Sequence, residues 1–170
     1  MNQITSFKDI VRLAPKELQN IIWQQWKAPQ NPKYHPEGNT LKHITMVVTR
    51  AIREYPNDID MILAALFHDL GKFYTLDYKN NQPTAHGHEK VSVEFVDQFA
   101  DWIRSMGGDV DKIRFIVANH MRIKPDTWNV MKQSKKNKII NDPNYQSIQN
   151  FGTLDKGGLQ EVIKEELKKY

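Results

Sequence analysis

The sequence has 170 residues, of which 39% are hydrophobic and 26% charged, as is typical of one globular domain. It has no cysteine, which excludes disulfides, thiolate metal sites and cysteine nucleophiles, so a metal must be bound by His, Asp, Glu or backbone oxygen. The net charge of +4 is too small to indicate nucleic-acid binding by itself. The longest apolar run, residues 61–67, is too short to span a bilayer, and the N-terminus has no signal-peptide pattern. We therefore expect a cytoplasmic protein without membrane contact.

The first forty residues are predicted to form two helices and a loop. Ser6 with Asp9 resembles a capping box that opens a short helix. Pro15 suits the first turn of a second helix, which runs to about Trp26. Residues 27–38 contain three prolines and one glycine and are therefore predicted to be a loop.

The middle of the chain is predicted to form two helices joined by a short connection. Thr40 is expected to cap the first helix, which ends before Pro56, and either Asp58 or Asp60 to cap the second. Gly71 is expected to stop the second helix, in the position where a left-handed residue is usual.

The second half of the chain is also predicted to be mainly helical. Residues 72–87 lack helical periodicity and are predicted to be a loop, with room for a small hairpin. A helix is predicted over residues 88–106, followed by another that Asp109 caps. Beyond Pro125 we expect two or three shorter helices and a last helix from about Leu159.

No segment shows the sustained apolar–polar alternation of a half-buried strand. The fold is therefore expected to be all-α, a single globular domain over residues 1–170. Its functional motifs lie at about 34–158, preceded by helices and a loop in residues 1–33 and followed by a helix in residues 159–170.

Two ionisable residues, His68 and Asp69, follow Leu66 and Phe67 at the end of a very apolar helix. Burying them without partners would cost several kcal/mol, whereas a bound cation would satisfy both. The negative end of the helix dipole would also favour a cation there. In a frayed last turn, the two adjacent side chains can face one point.

A histidine on the preceding helix is expected to join this pair. His43 lies near the start of that helix, and the short connection after Tyr55 predicts that the two helices are antiparallel neighbours. The start of the first helix then lies beside the end of the second. The topology therefore brings His43 next to His68 and Asp69.

A further ligand must come from later in the chain, and three residues are candidates. Asp155 ends an apolar helix pattern just before two glycines, His120 ends another helix, and His88 starts one. Each also has a simpler interpretation, because a lone histidine on an apolar face is more often a hydrogen-bonded core residue, and Asp155 could simply cap a helix.

The remaining histidines and three tryptophans are expected to have no ligand role. His35 and His86 are predicted to be solvated loop residues. Trp23, Trp26 and Trp102 are predicted to pack in the core or against helix ends.

The order of these motifs resembles the HD superfamily of metal-dependent phosphohydrolases. The resemblance is closer still to the HD domain that is fused to some bacterial CCA-adding tRNA nucleotidyltransferases. Five blocks carry it, in the same order along the chain: HPEGNTLKH (35–43), AALFHDLGK (64–72), AHGHEK (85–90), VANHM (117–121) and LDKGG (154–158). No segment resembles the nucleotidyltransferase part, so we do not expect this chain to extend tRNA.

The resemblance implies an HD-type metal site at the meeting point of several helix ends. It assigns the metal ligands as His43, His68, Asp69 and Asp155. Because at least two ligands are imidazoles, a divalent transition metal (Mn, Fe, Co, Ni or Zn) is expected rather than calcium.

The resemblance also implies roles for residues beside the ligands. In two-metal members, histidines at positions like His88 and His120 bind a second ion. In one-metal members they contact the phosphate or transfer protons, and we favour one ion. Lys72 corresponds to the lysine that faces the phosphate, so the expected catalytic residues are Asp69, Lys72, His88 and His120.

Three functions are compatible with these motifs. The first is a phosphodiesterase and phosphatase that acts on nucleotides, such as 2′,3′-cyclic phosphates or nucleoside monophosphates, through metal-activated water. The second is another HD hydrolase, acting on deoxynucleoside 5′-monophosphates, dinucleoside polyphosphates or cyclic-nucleotide signals. Deoxynucleotidases usually carry an acidic residue where this chain has Lys72, which counts mildly against that enzyme.

The third function is a non-catalytic, metal-stabilised module that binds RNA or a partner. Its evidence is a lysine-rich segment that contains Lys132, Lys135, Lys136 and Lys138. Such a segment is usually a solvated face, but it could also attract an RNA end.

Overall fold

The computed structural model describes residues 3–155, and in this range the chain is all-α apart from one small hairpin, which confirms the predicted fold class. The helix predicted from about Leu159 lies outside the described residues. None of the described helices combines the length and apolar character needed to cross a membrane. The helices are α1 (Phe7–Leu13), α2 (Lys16–Gln24), α3 (Thr40–Glu54), α4 (Ile59–Phe67), α5 (His88–Gln98), α6 (Ala100–Ser105), α7 (Val110–Asn119), α8 (Pro125–Trp128), α9 (Gln133–Ile140) and α10 (Tyr145–Leu154). Strands β1 (Asp77–Lys79) and β2 (Gln82–Thr84) pair antiparallel.

Helix α4 is the centre of the core. Residues 61–67 are all buried, and α3, α5, α7 and α10 pack around them. A helix that is apolar on every side is stable in water only when it is enclosed in this way. Asp58, one of the two predicted caps, begins α4 by accepting a hydrogen bond from the backbone N–H of Met61 at 3.1 Å.

Helix α3 begins differently from the prediction. Asn39, not Thr40, is its cap and accepts a hydrogen bond from the backbone N–H of Lys42 at 3.0 Å. Thr40 is the first helical residue, and its hydroxyl donates to the carbonyl of Ala28 at 3.0 Å. This bond ties the start of α3 to the preceding loop.

Helix α4 ends at Phe67, four residues before Gly71, and a turn follows. The prediction that Gly71 is left-handed is wrong, because its φ is not positive. Gly71 instead permits close packing: a Cβ atom there would lie 2.2 Å from the carbonyl oxygen of His88 at the start of α5.

The predicted helix over residues 88–106 is broken at Phe99 into α5 and α6. Phe99 is buried, and its ring and that of Trp102 both lie against Phe67, with centroids 6.5 and 6.3 Å away. The bend lets the indole N–H of Trp102 donate to the carbonyl of Leu13 at 3.0 Å.

Two of the three tryptophans considered above are not core residues. Trp23 and Trp26 are 45% and 59% exposed, so they do not pack in the core, whereas Trp102 packs against it as expected. The ring of Trp23 contacts a helix end, because it meets the ring of Phe7, the first residue of α1, edge-on with centroids 6.3 Å apart. Helix α2 buries a different face, which includes Leu18 and Ile22.

Candidate metal centre

Four histidines and two aspartates converge where helix ends meet. They come from the first turns of α3 and α5, from the turn after α4, and from the ends of α7 and α10. All six are buried: His43, His68, Asp69, His88, His120 and Asp155. The structure therefore brings together all the residues predicted for the site except Lys72, which lies beside them.

The first group, called the primary cluster, consists of His43, His68, Asp69 and Asp155. The Nε2 atoms of His43 and His68 lie 3.3 Å apart, and each is 3.3 Å from Asp69 Oδ2. Asp155 Oδ1 lies 2.9 Å from His43 Nε2 and 3.4 Å from His68 Nε2. The facing atoms of four side chains thus surround one small volume.

The second group, called the secondary cluster, consists of Asp69, His88 and His120. The other oxygen of Asp69, Oδ1, lies 3.0 Å from His88 Nε2 and 3.3 Å from His120 Nε2. The two Nε2 atoms are 3.1 Å apart. Asp69 therefore presents one oxygen to each cluster.

The inward direction of the imidazoles is fixed by their other nitrogens. In three of the four rings, Nδ1 donates to the backbone carbonyl three residues earlier in the chain. These bonds run from His68 to Ala65 at 2.7 Å, from His88 to Ala85 at 2.9 Å and from His120 to Val117 at 2.6 Å. Because a carbonyl can only accept, Nδ1 holds the proton, and in the neutral ring Nε2 presents its lone pair to the cluster.

Glu37 orients the fourth imidazole, and the sequence analysis did not identify it. It is 3% exposed, and its Oε1 accepts from Nδ1 of His43 at 2.9 Å and from Nδ1 of His35 at 3.0 Å. Burial would raise the pKa of Glu37, but these two hydrogen bonds hold it well below its usual range. A carboxylate behind a histidine is a common way to orient a metal ligand.

His35 is not the solvated loop residue that was predicted. Its side chain is 22% exposed, it donates to Glu37, and its ring meets the ring of His43 edge-on with centroids 4.9 Å apart. Burial lowers the pKa of His35. His86 is exposed, as predicted.

Two lysines flank the clusters from different elements. Lys72 Nζ lies 3.0 Å from Asp69 Oδ2 and also donates to the side chain of Gln30. Lys124 Nζ, which the sequence analysis did not single out, lies 3.4 Å from Asp155 Oδ2. The charge of Asp155 raises the pKa of Lys124.

The donor set fits a divalent cation. Lone pairs face lone pairs across both clusters, and Asp69 Oδ1 is buried without a hydrogen bond even though two Nε2 atoms lie close to it. Only shared protons or a cation can satisfy such an arrangement. Burial alone would lower the pKa of His68, but the charges of Asp69 and Asp155 raise it to about 10. The same need for positive charge suits a metal ion, and three residues of the primary cluster, His43, His68 and Asp69, lie close enough together to hold one.

An open cleft of about 670 Å³ leads to the clusters. Asp69, His88 and Asp155 line it, together with both flanking lysines. The loop of residues 28–36 forms another part of the lining and carries Tyr34, which is 58% exposed, with Lys33 Nζ 5.3 Å from its ring centroid. The cleft is within the size range of small-molecule sites, about 300–1,000 Å³.

Comparison with known proteins gives one family match and several relatives. The family model of the HD domain matches residues 40–144. A multifunctional CCA protein of Thioalkalivibrio sulfidiphilus is 38% identical over 105 residues, which cover 58% of this chain and 25% of that protein. Multifunctional CCA proteins of Janthinobacterium sp. and Herminiimonas arsenicoxydans are 44% and 43% identical over 72 residues, covering 42% of this chain and 17% of each relative. The chain thus spans a quarter or less of the length of these relatives.

Proposed function

The chain belongs to the HD domain family, and from that membership we propose that it is a metal-dependent phosphohydrolase that acts on nucleotides. The observation that carries this proposal is the set of buried, inward-facing lone pairs at the wall of an open cleft that also contains Lys72 and Lys124. The proposed substrates are nucleoside 2′,3′-cyclic phosphates and nucleoside monophosphates.

The proposed metal ligands are the four residues of the primary cluster. When bound there, a divalent transition metal would supply a water of lowered pKa and a Lewis acid for the phosphoryl group. Imidazole and carboxylate ligands together suit manganese, iron, cobalt, nickel or zinc. The protein's part is to hold the ligand atoms in place, through the hydrogen bonds at Nδ1 described above.

The charge around the clusters favours one ion over two. Within the described part of the chain, four carboxylates belong to the clusters or contact their histidines: Asp69, Asp155, Glu37 and Glu89. Two ammonium groups, those of Lys72 and Lys124, lie beside them. With neutral histidines the site is therefore −2, and one divalent ion neutralises it. A second ion would make it +2 in a buried location, which is electrostatically unfavourable. We propose that the histidines of the secondary cluster contact the phosphate instead.

The two lysines and Tyr34 are proposed to bind the substrate. Ammonium groups on both sides of the primary cluster can offset the negative charge that develops on phosphoryl oxygens during displacement. An exposed aromatic ring in the cleft lining gives the base of a nucleotide a surface to stack on. A site for inorganic phosphate alone would need no such ring.

A screen of the purified protein tests this function. Metal-free protein is reloaded with each of the five metals and assayed against phosphomonoesters, cyclic nucleotides and dinucleotides. The proposal expects hydrolysis of a 2′,3′-cyclic phosphate or a nucleoside monophosphate with at least one metal. Activity confined to deoxynucleoside 5′-monophosphates or dinucleoside polyphosphates would favour the other HD hydrolases, and no hydrolysis with any metal would refute the enzyme.

Replacing either flanking lysine with alanine is expected to lower turnover while leaving metal content unchanged. Each of the variants Lys72→Ala and Lys124→Ala removes a charge that acts most strongly in the transition state, so kcat should fall by roughly 10²-fold. Steady-state kinetics and metal analysis of the same samples make the measurement. Lys8→Ala is the matched control, since Lys8 is exposed on α1 and does not line the cleft. Equal losses of metal and activity would assign the lysines a structural role.

Replacing Glu37 is expected to weaken metal binding. Loss of a carboxylate behind a ligating histidine typically lowers metal affinity by about 10- to 100-fold. Glu37→Ala should show the full effect and Glu37→Gln a smaller one, because the amide oxygen can still accept from Nδ1 of His43. Competition with a chromophoric chelator measures the affinity, with the exposed Glu94→Gln as control. Unchanged affinity in Glu37→Ala would show that His43 does not need this partner.

A further inference from the structure

One segment of the chain contributes to the cleft and to a second cavity. In residues 121–124, Met121 and Lys124 line the cleft, whereas Arg122 lines the second cavity. The second cavity has a volume of about 360 Å³ and is also lined by Lys135 and Lys138. One carboxylate, that of Asp142, lies in the lining as well.

The positive charge of the protein is concentrated at this place. Residues 121–141 contain six of the 24 basic residues of the chain and one of its 20 acidic residues. This stretch therefore carries a net charge of +5, and the rest of the chain carries −1. A local excess of this kind attracts anions even when the whole protein is only mildly basic.

Basic side chains line both the cleft and the second cavity. Lys135 and Lys138 are three residues apart on α9, so they share one helix face, which is the face that lines the cavity. Lys136 Nζ lies 5.6 Å from the ring centroid of Trp128 on α8, and the preceding residue, Thr127, lines the cleft. Lys136 lines neither cavity, but its ammonium group lies against α8, the helix that contributes Thr127 to the cleft.

The side chain of Arg122 is held in position at the second cavity by a hydrogen bond. Its Nη1 donates to the side-chain oxygen of Asn119 at 3.0 Å, and both residues line the second cavity. A guanidinium fixed in this way retains donors for a phosphate and loses less entropy when it binds one. Lys132, at the start of the same basic helix, lines neither cavity.

We propose that the second cavity and Lys136 bind backbone phosphates of a single-stranded RNA whose 3′-terminal nucleotide occupies the cleft. This inference rests on the proposed function. A 2′,3′-cyclic phosphate forms only on a ribose, and at the end of a chain that ribose remains joined through its 5′ side to the preceding nucleotides. Those nucleotides must leave the cleft, and the basic surface of residues 121–141 complements their charge. The preferred substrate is therefore an RNA end rather than a free nucleotide.

Binding of a labelled oligoribonucleotide with a 3′-hydroxyl, which the enzyme cannot hydrolyse, tests the surface itself. Each lysine contact with a single strand contributes about −0.7 to the slope of log K against log salt. In the double variant Lys135→Gln/Lys138→Gln, the slope of log K against log salt should therefore become less negative by about 1.4, and binding at low salt should weaken by roughly tenfold. Lys8→Gln/Lys16→Gln, exposed in α1 and α2, is the matched control. An unchanged slope in the first variant would overturn the proposal, as would equally tight binding of a polyglutamate peptide.

A kinetic comparison separates this proposal from the proposed function. The metal-loaded protein is assayed on a nucleoside 2′,3′-cyclic phosphate and on an oligoribonucleotide with the same terminal nucleotide. The expected result is a lower KM for the oligonucleotide, and a kcat/KM ratio between the two substrates that falls towards one in the lysine double variant. Equal KM values would overturn the RNA-binding proposal while leaving the enzyme intact. Lysine-dependent RNA binding without hydrolysis of either substrate would support that proposal and refute the phosphohydrolase.

Discussion

Replacing Asp69 with asparagine is expected to abolish metal binding and phosphate release together. Asp69 presents Oδ2 to the primary cluster and Oδ1 to the secondary cluster. The substitution removes the negative charge that the two oxygens share and replaces one of them with an amide nitrogen, which cannot act as a ligand. Metal analysis of the wild type should give one equivalent, in line with the charge of the site, and the variant should give background. Phosphate release should fall to the level of metal-free protein.

The thermal stability of the same variant provides a second measurement. A ligand that binds only the folded state stabilises the protein by about 2.7 kcal/mol when its free concentration is 100 times its Kd. The wild type should therefore gain stability when metal is added, and Asp69→Asn should not. The helical circular dichroism should remain, because the apolar residues of α4 are untouched. Asp101→Asn, which alters an exposed carboxylate on α6, should behave as wild type. A variant that still gains stability from metal would remove Asp69 from the ligand set.

The approach of His43 to His68 and Asp69 could be predicted because it depends on connectivity. A short connection makes α3 and α4 antiparallel, and this places the first turn of one beside the last turn of the other. The structure has this arrangement. The position of Asp155 could be predicted only from the family motif. It follows a helix far along the chain from the other residues of the primary cluster, so connectivity does not bring it to them.

The sequence did not reveal the positions of Glu37, His35 and Lys124 beside the site. Hydrophobic periodicity predicts helices and strands, but it contains no information about the path of a loop. The loop that carries Glu37 is held by long-range backbone bonds. In one, the N–H of Gln30 donates to the carbonyl of Gly38 at 3.1 Å, and in the other the N–H of Thr40 donates to the carbonyl of Ala28 at 2.9 Å. These bonds turn residues 35–37 back over α3.

The exposed tryptophans and the break at Phe99 show a second limit of prediction from the sequence. Hydrophobicity predicts that a residue prefers burial, but the face that a helix buries is decided by its neighbours. Helix α2 already buries Leu18, Ile21 and Ile22, and this leaves Trp23 near the surface. At Phe99, where the helix breaks, the buried ring lies against Phe67, and the sequence of residues 88–106 does not reveal this contact.

Replacing Gly71 with alanine is expected to destabilise the protein more than most single methyl additions. The added Cβ would lie 2.2 Å from the carbonyl oxygen of His88 and 3.0 Å from the backbone nitrogen of Ser92, so it meets backbone rather than a movable side chain. The backbone N–H of Gly71 also donates to the hydroxyl of Ser92 at 2.9 Å, which holds the two segments together. We expect a loss of about 3 kcal/mol, at the upper end of the range for overpacked sites.

Urea denaturation measures the free energy of unfolding of Gly71→Ala, with Gly152→Ala as the control. An alanine Cβ at Gly152, inside α10, would lie 2.9 Å from Cδ1 of Ile123, the end of a flexible side chain. Its gain in helix propensity, about 1 kcal/mol, should offset the small adjustment, so the control should stay within about 1 kcal/mol of wild type. Because the start of α5 carries His88, Gly71→Ala should also change the secondary cluster and lower turnover at temperatures where the protein remains folded. Wild-type stability in Gly71→Ala would mean that α5 can move away from this turn at little cost, and the position of His88 would then not depend on Gly71.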